Sequence, residues 1–225
     1  MSRSTLRASD ERWMMADMID RLGGVPPERI CAVPPPGTAT ERDVLNHESR
    51  TDRSCELVDG TLVEKAMGYY ESLVAATLIR LLGDFVESQR LGIVLGEAAT
   101  LRILPDQVRI PDVCFIAWSR FPDRRLPQEP IPAVAPDLAV EILSEGNTVG
   151  EMRRKLHDYF DAGVRLVWYI DPASRTAETY TAPDRFRTIA EHGTLDGAAV
   201  LPGFRVSLQE LFSRAEGRAP TEPAE

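Results

Sequence analysis

The chain is poor in the residues on which metal-bound and disulfide-stapled scaffolds depend. Among 225 residues there are three cysteines, three histidines and no Cys-x-x-Cys pair. Cys31, Cys55 and Cys114 are scattered and odd in number, so no disulfide framework can be read and reduced, structural thiols are expected. His47, His157 and His192 are equally dispersed, and their spacing gives a zinc site little support. No apolar run is long enough to span a bilayer. The opening residues Met1 to Asp10 hold no apolar segment of the secretory kind, which makes cytoplasmic residence the expectation. A basic surplus is also missing: 26 Lys and Arg stand against 35 Asp and Glu, a net charge of −9. That excludes a general electrostatic grip on nucleic acid, so such a partner would have to be held by a local basic patch or through bound cations. There is no internal repeat and no Gly-rich phosphate loop.

What is present is core-forming sequence, 43% hydrophobic. Residues 1–50 read as an extension: helical spacing from Arg12 to Leu22 stops at Gly23-Gly24, prolines follow at 26–27 and 34–36, and Thr40 opens a second short helix. The extension is expected to pack on the main domain as a structural or dimer-contact arm. The domain itself is assigned to residues 51–213, and a disordered tail to 214–225.

The domain opens with two alternating runs around Asp59-Gly60, a hairpin signal, with Glu56 read as a solvated strand residue. Apolar positions at helical spacing predict a long core helix from Tyr69 to about Gln89. Strands follow at Gly92–Gly96, Ala98–Leu104 and Val108–Trp118, then a Pro- and Arg-rich loop from Ser119 to Pro136. That loop reads as solvated, or as a basic lip over a polyanion site. Pro136 to Ser144 is a buried strand, and Thr148-Val-Gly-Glu151 opens an amphipathic helix that Gly163 closes. Val164–Asp171 is a second buried strand, and a meander and a short helical turn at Ser207–Phe212 complete the chain. Strand, helix and strand inside a run of other strands make the class α/β (α+β) with a mixed sheet.

Three carboxylates disturb this pattern. Glu141 interrupts an apolar strand, where a charge costs several kcal/mol unless it is paired or binds a metal, so it is either half of a buried ion pair or a functional ligand. Asp112 shares a strand face with Ile110, Cys114 and Ile116, beside Pro111, and reads on its own as an Asp bonding nearby backbone amides at an irregularity. Glu71 falls on the inner side of the long helix in its first turn, where compensation of the helix dipole explains it equally well. Lys155 and Arg153 flank the apolar stripe of their helix and are long enough to reach an acidic cluster, or simply snorkel.

Ile110-Pro-Asp112-Val, Pro136-Asp-Leu-Ala-Val-Glu141-Ile-Leu-Ser, Lys155 in a helix, Gly163-Val and Val167-Trp-Tyr-Ile-Asp-Pro172 together resemble the Uma2-like family of restriction endonuclease-like proteins. The resemblance spans about residues 50–212. It implies a PD-(D/E)xK nuclease core, with Asp112 as the Pro-Asp carboxylate, Glu141 as the second acid and Glu71 as the acid on the first core helix. The motif places a lysine two residues beyond the second acid. Here that position is Leu143, and the resemblance carries the lysine's role to Lys155. It further implies Mg²⁺ or Mn²⁺ held by Asp112, Glu141 and Glu71, DNA as substrate, and a fold type compatible with a homodimer. The alternative is a nuclease fold without turnover, acting as a binding or structural module.

Overall fold

The computed structural model describes residues 15–66 and 68–218, so Arg12 to Met14 of the expected first helix and the tail beyond 218 lie outside the described residues. Two principal sheets result. A six-stranded sheet has the order β10-β9-β8-β7-β6-β3, and a four-stranded one the order β2-β1-β5-β4. In the first, β3 is Gly92–Gly96, β6 Val113–Ala117, β7 Leu138–Ile142, β8 Leu166–Asp171, β9 Thr176–Ala182 and β10 Arg185–Ile189. In the second, β1 is Cys55–Val58, β2 Thr61–Glu64, β4 Leu101–Leu104 and β5 Gln107–Arg109. Pairing is antiparallel except between β7 and β8, which α4 (Val149–Asp161) connects.

Alternation along the strands assigns the two faces of the larger sheet. Val113, Phe115, Leu138, Val140, Ile142, Trp168 and Ile170 pack under α3 (Tyr69–Ser88) and α5 (Leu208–Ala215). Cys114, Ile116, Ala139, Val167 and Tyr169 pack under Met152, Leu156 and Tyr159 of α4. Leu78, Leu82 and Trp168 are fully enclosed, and each large apolar side chain so buried contributes about 1.5–3 kcal/mol. The same alternation turns Glu141 toward α4. Thr148 and Glu151 form the expected capping box. At the other end Gly163, at φ +86°, sends its N–H to Phe160 O, and Val164 N–H reaches Tyr159 O, a Schellman closure that only a left-handed residue permits.

One expected strand is divided. Val108–Trp118 reads as a single run, but β5 ends at Arg109 in one sheet and β6 begins at Val113 in the other. Pro111 has no N–H to give to either ladder, and the chain crosses between sheets there, leaving Asp112 at the junction. The Pro-rich loop is also not a lip: Arg120 is bound to Asp137 and to Gly163 O, and no residue of the loop borders the large cleft described below. The β11–β12 pair (Thr194–Asp196, Arg205–Ser207) precedes α5, and Glu216 just beyond that helix accepts bonds from Tyr70 and Arg175.

The N-terminal segment, α1 (Met15–Arg21) onward, is clamped to the start of α4. Met18, Leu22 and Val25 pack on Val58 and Val63. Arg29 grips Glu151 with two bonds of 2.9 and 2.7 Å, and Thr148 Oγ1 donates to Gly23 O at 2.7 Å. Gly23 has φ +80°, and a Cβ there would lie 2.3 Å from Gly150 C and Glu151 N, whereas Gly24, at φ +77°, faces open space. Gly24→Ala should therefore cost only the left-handed strain, about 1 kcal/mol. Gly23→Ala should cost about 2 kcal/mol or more because backbone must also move. Urea denaturation of both variants checks the difference; equal losses would mean that the close approach is not maintained.

Candidate active site

The junction between the two sheets is filled with charge. Glu56 (β1), Arg109 (β5), Asp112, Glu141 (β7) and Lys155 (α4) are all buried, none more than 4% exposed. Glu56 lies in an otherwise apolar strand and is not the solvated residue expected. It accepts from Arg109 Nη1 at 2.8 Å and from the Ile110 N–H at 3.0 Å, and its Oε1 is 3.0 Å from Lys155 Nζ. Lys155, expected to flank the helix stripe, is drawn fully inside and reaches Glu141 Oε2 at 2.8 Å. Tyr159, one turn further along α4, donates to Glu141 Oε1 at 2.5 Å. Arg109 is also tied to Asp158 of α4.

Asp112 has two partners. Its Oδ2 accepts the Ile142 N–H at 2.7 Å, which fixes the carboxylate to the backbone of the strand carrying Glu141. Its Oδ1 is 2.6 Å from Lys65 Nζ, and the same ammonium donates to Ile110 O at 2.5 Å. Asp112, Glu141 and Lys155 thus come together. Glu71 does not join them: it lies in the first turn of α3, folded back so that a Cβ on Gly68 would meet its Oε2 at 2.2 Å. Among the described residues it makes no hydrogen bond or ion pair, and it faces the cleft.

Glu56 and Glu141 share one lysine but titrate in opposite directions. Burial raises Glu56, yet Lys155, Arg109 and Lys65 outweigh it and hold the carboxyl down at about 2. Glu141 is pushed above the ordinary carboxylate value by burial first; Lys155 lowers it, but the negative charge of Asp112 adds to the rise. Glu56 therefore anchors the cations, and Glu141 is a carboxylate short of positive charge. Tyr159, raised by burial and by Glu141, stays a neutral donor.

A cleft of about 1330 Å³ opens beside this network, bordered by Lys65, Glu71, Leu143, Arg153, Tyr169 and Phe186 among others. Lys65 is the one member of the network on that border. The lining carries six carboxylates against four cations. Sequence reasoning missed Lys65, Glu56, Arg109 and Tyr159. An acid at Glu56 in an otherwise apolar strand and a base at Arg109 beside Val108 and Ile110 were the available signal for that pair; nothing local marks Lys65.

Residues 42–209 match the Uma2 family, described as "Putative restriction endonuclease". The chain belongs to the Uma2 family. No curated protein matches this Uma2 chain. Among solved structures it is similar to a protein from Anabaena variabilis ATCC 29413 titled a putative nuclease belonging to DUF820, with 22% identity and a TM-score of 0.65, over 73% of this chain and 93% of that one. The likeness shows the fold: a mixed α+β core, as the residue pattern implies. No helix among the described residues is long and apolar enough to cross a membrane.

The opposed titrations give a stability test for this Uma2 protein. Glu56→Gln leaves Arg109 and Lys155 short of their shared counter-charge and should cost about 3–5 kcal/mol at pH 7. Glu141→Gln removes a carboxylate that burial and Asp112 disfavour but also the nearer counter-charge of Lys155, and should cost less than Glu56→Gln by urea denaturation. The depressed Glu56 also sets a pH window: its contribution is present above the ordinary value of 4.5 and is lost as pH falls toward about 2. Equal losses in the two variants would show that the carboxylates play equivalent structural parts.

Proposed function

We propose that the chain is a metal-dependent endonuclease that hydrolyses phosphodiester bonds in DNA, with Asp112 and Glu141 holding Mg²⁺ or Mn²⁺. The observation that carries this reading is the Lys65 ammonium. It is held by Ile110 O at 2.5 Å and Asp112 Oδ1 at 2.6 Å, a cation between oxygen donors at the edge of a cleft. Two carboxylates and a backbone carbonyl are the hard oxygen set that Mg²⁺ and Mn²⁺ take, with water completing the shell. A divalent ion so placed supplies an acidified water and neutralises charge on the phosphate oxygens.

The chain's own groups have separable parts in this reading. Asp112 is aligned by the Ile142 N–H. Glu141 is oriented by Tyr159 on one oxygen and Lys155 on the other. Lys155, itself held by Glu56, supplies the positive charge that the motif expects two residues after the second acid, where Leu143 stands. Lys65, once released from Asp112, faces the cleft and meets an incoming phosphate oxygen. Glu71, on the cleft wall, would assist a metal held by Asp112 and Glu141 from a distance, through water.

The six carboxylates lining the cleft favour a second reading, in which the nuclease fold serves as a binding or structural module without turnover. The two separate on metal binding, which needs no knowledge of the DNA form. Mn²⁺, followed by calorimetry or by loss of the free-ion EPR signal, should bind saturably to the wild type and fail to bind Asp112→Asn/Glu141→Gln. In a Mg²⁺- or Mn²⁺-supplemented screen of DNA forms, either single substitution should lower cleavage by about a hundredfold or more. Full cleavage by Glu141→Gln would overturn the assignment, and wild-type protein that binds no Mn²⁺ and cuts nothing would put the module reading ahead.

A further inference from the structure

We propose that Cys31, His47 and Glu64 form a second cation site, separate from Asp112 and Glu141, for a zinc-type divalent metal. The dispersed cysteines and histidines argued against such a site in the sequence, but the fold assembles one from three segments. Cys31 follows the 3-10 turn at Pro27–Arg29, His47 lies within α2 (Glu41–Thr51), and Glu64 ends β2. One ligand atom from each lies within 4.8 Å of the others, and no other trio of such side chains among the described residues does so. Cys31 Sγ is 3.8 Å from His47 Nδ1, and His47 Nε2 is 3.3 Å from Glu64 Oε1.

The backbone beneath these groups is fixed. Cys31 N–H bonds Leu62 O at 3.0 Å, Ile30 bridges Val63, and Glu64 is in register with Cys55 of β1. Cys31 and Glu64 therefore converge by side-chain rotation alone, and His47 rides on α2, whose Val44 is buried in one cluster with Cys55 and Leu57 of β1. A second observation points to a ligand. His47 Nε2 is sealed from solvent and, despite the nearby carboxylate, makes no hydrogen bond. An enclosed ring nitrogen left without a hydrogen bond is destabilising, and a bound metal would offset that.

Donor chemistry decides the class of cation. Thiolate, imidazole and carboxylate are the zinc set, with contacts of about 2.0–2.3 Å and a fourth position for water, whereas Mg²⁺ selects oxygen alone. Glu64 also borders the cleft, which supplies an entry path. The competing partner of Glu64 is Arg53, bonded at 2.8 Å but 69% exposed, and such surface pairs are weak. Burial and Glu64 keep Cys31 a thiol in the metal-free protein, so the incoming metal displaces one proton from sulfur to solvent.

Co²⁺ titration of the full chain tests the site through a signal the oxygen-only site cannot produce, thiolate-to-cobalt charge-transfer absorption. The band should saturate in the wild type, be displaced by Zn²⁺, disappear in Cys31→Ser and His47→Ala, and persist in Cys55→Ser and in Asp112→Asn/Glu141→Gln. That last variant keeps failure of this site distinguishable from failure of the nuclease reading. A measurement on unaltered protein avoids any folding defect: Zn²⁺ should slow alkylation of Cys31, the one partly exposed cysteine, as mapped by mass spectrometry. Absence of the band, a band that survives Cys31→Ser, or alkylation indifferent to Zn²⁺ would overturn the proposal.

Discussion

Lys155 is shared between Glu56 and Glu141, and much of the domain is arranged so that this sharing is possible. The ammonium comes from α4, Glu56 from the four-stranded sheet and Glu141 from the six-stranded one. Three layers thus meet on one buried charge. A buried cation with two carboxylates must be enclosed by further donors to offset desolvation. Arg109, the Ile110 N–H and the Tyr159 hydroxyl are those donors. The network is also asymmetric: Glu56 collects most of the positive charge, and Glu141 is left with a lysine it must share and a tyrosine. Glu141 is thus the member of the network with the least positive charge around it. Asp137 provides the contrast inside the same chain, since it is equally buried but accepts from Arg120, Arg165 and the Ala117 N–H.

The fold was largely legible in the residues because its elements follow their own periodicities. Helix α3, the Asp59-Gly60 turn with both residues at positive φ, the Thr148 box and the Gly163 closure are local features with local causes. The division of Val108–Trp118 between two sheets was not legible. Pro111 announces an interruption, but that the first half joins β1 as well as the adjacent β4, and the second half joins β7, depends on partners over 20 residues away.

The site was legible in part for a related reason. Asp112 and Glu141 stand out since each is a charge against an apolar pattern. Glu56 has the same signature but was assigned to solvent, because alternation in a short strand cannot tell a solvated face from a second buried one. Lys65 follows the hairpin with no pattern around it, and only the crossing of the chain at Pro111 brings Ile110 O and Asp112 to it. Cys31 and His47 are far from any ligand spacing along the chain; the isolated bridge between Ile30 and Val63 brings Cys31 beside Glu64, and α2 brings His47. Long-range adjacency is the information a single sequence withholds.

The bond from the Ile142 N–H to Asp112 has a consequence for tolerance to change. It ties the Asp112 carboxylate to the main chain directly beside Glu141, so its position is a property of the β6–β7 ladder, while Tyr159 and Lys155 of α4 set that of Glu141. Thermal motion of the surrounding loops then has little leverage on it, and the ordering entropy of the pair is expended when the sheet forms, not when a ligand arrives. Substitutions across the outer surfaces or on the edge strand β10 can therefore leave the geometry at the junction intact.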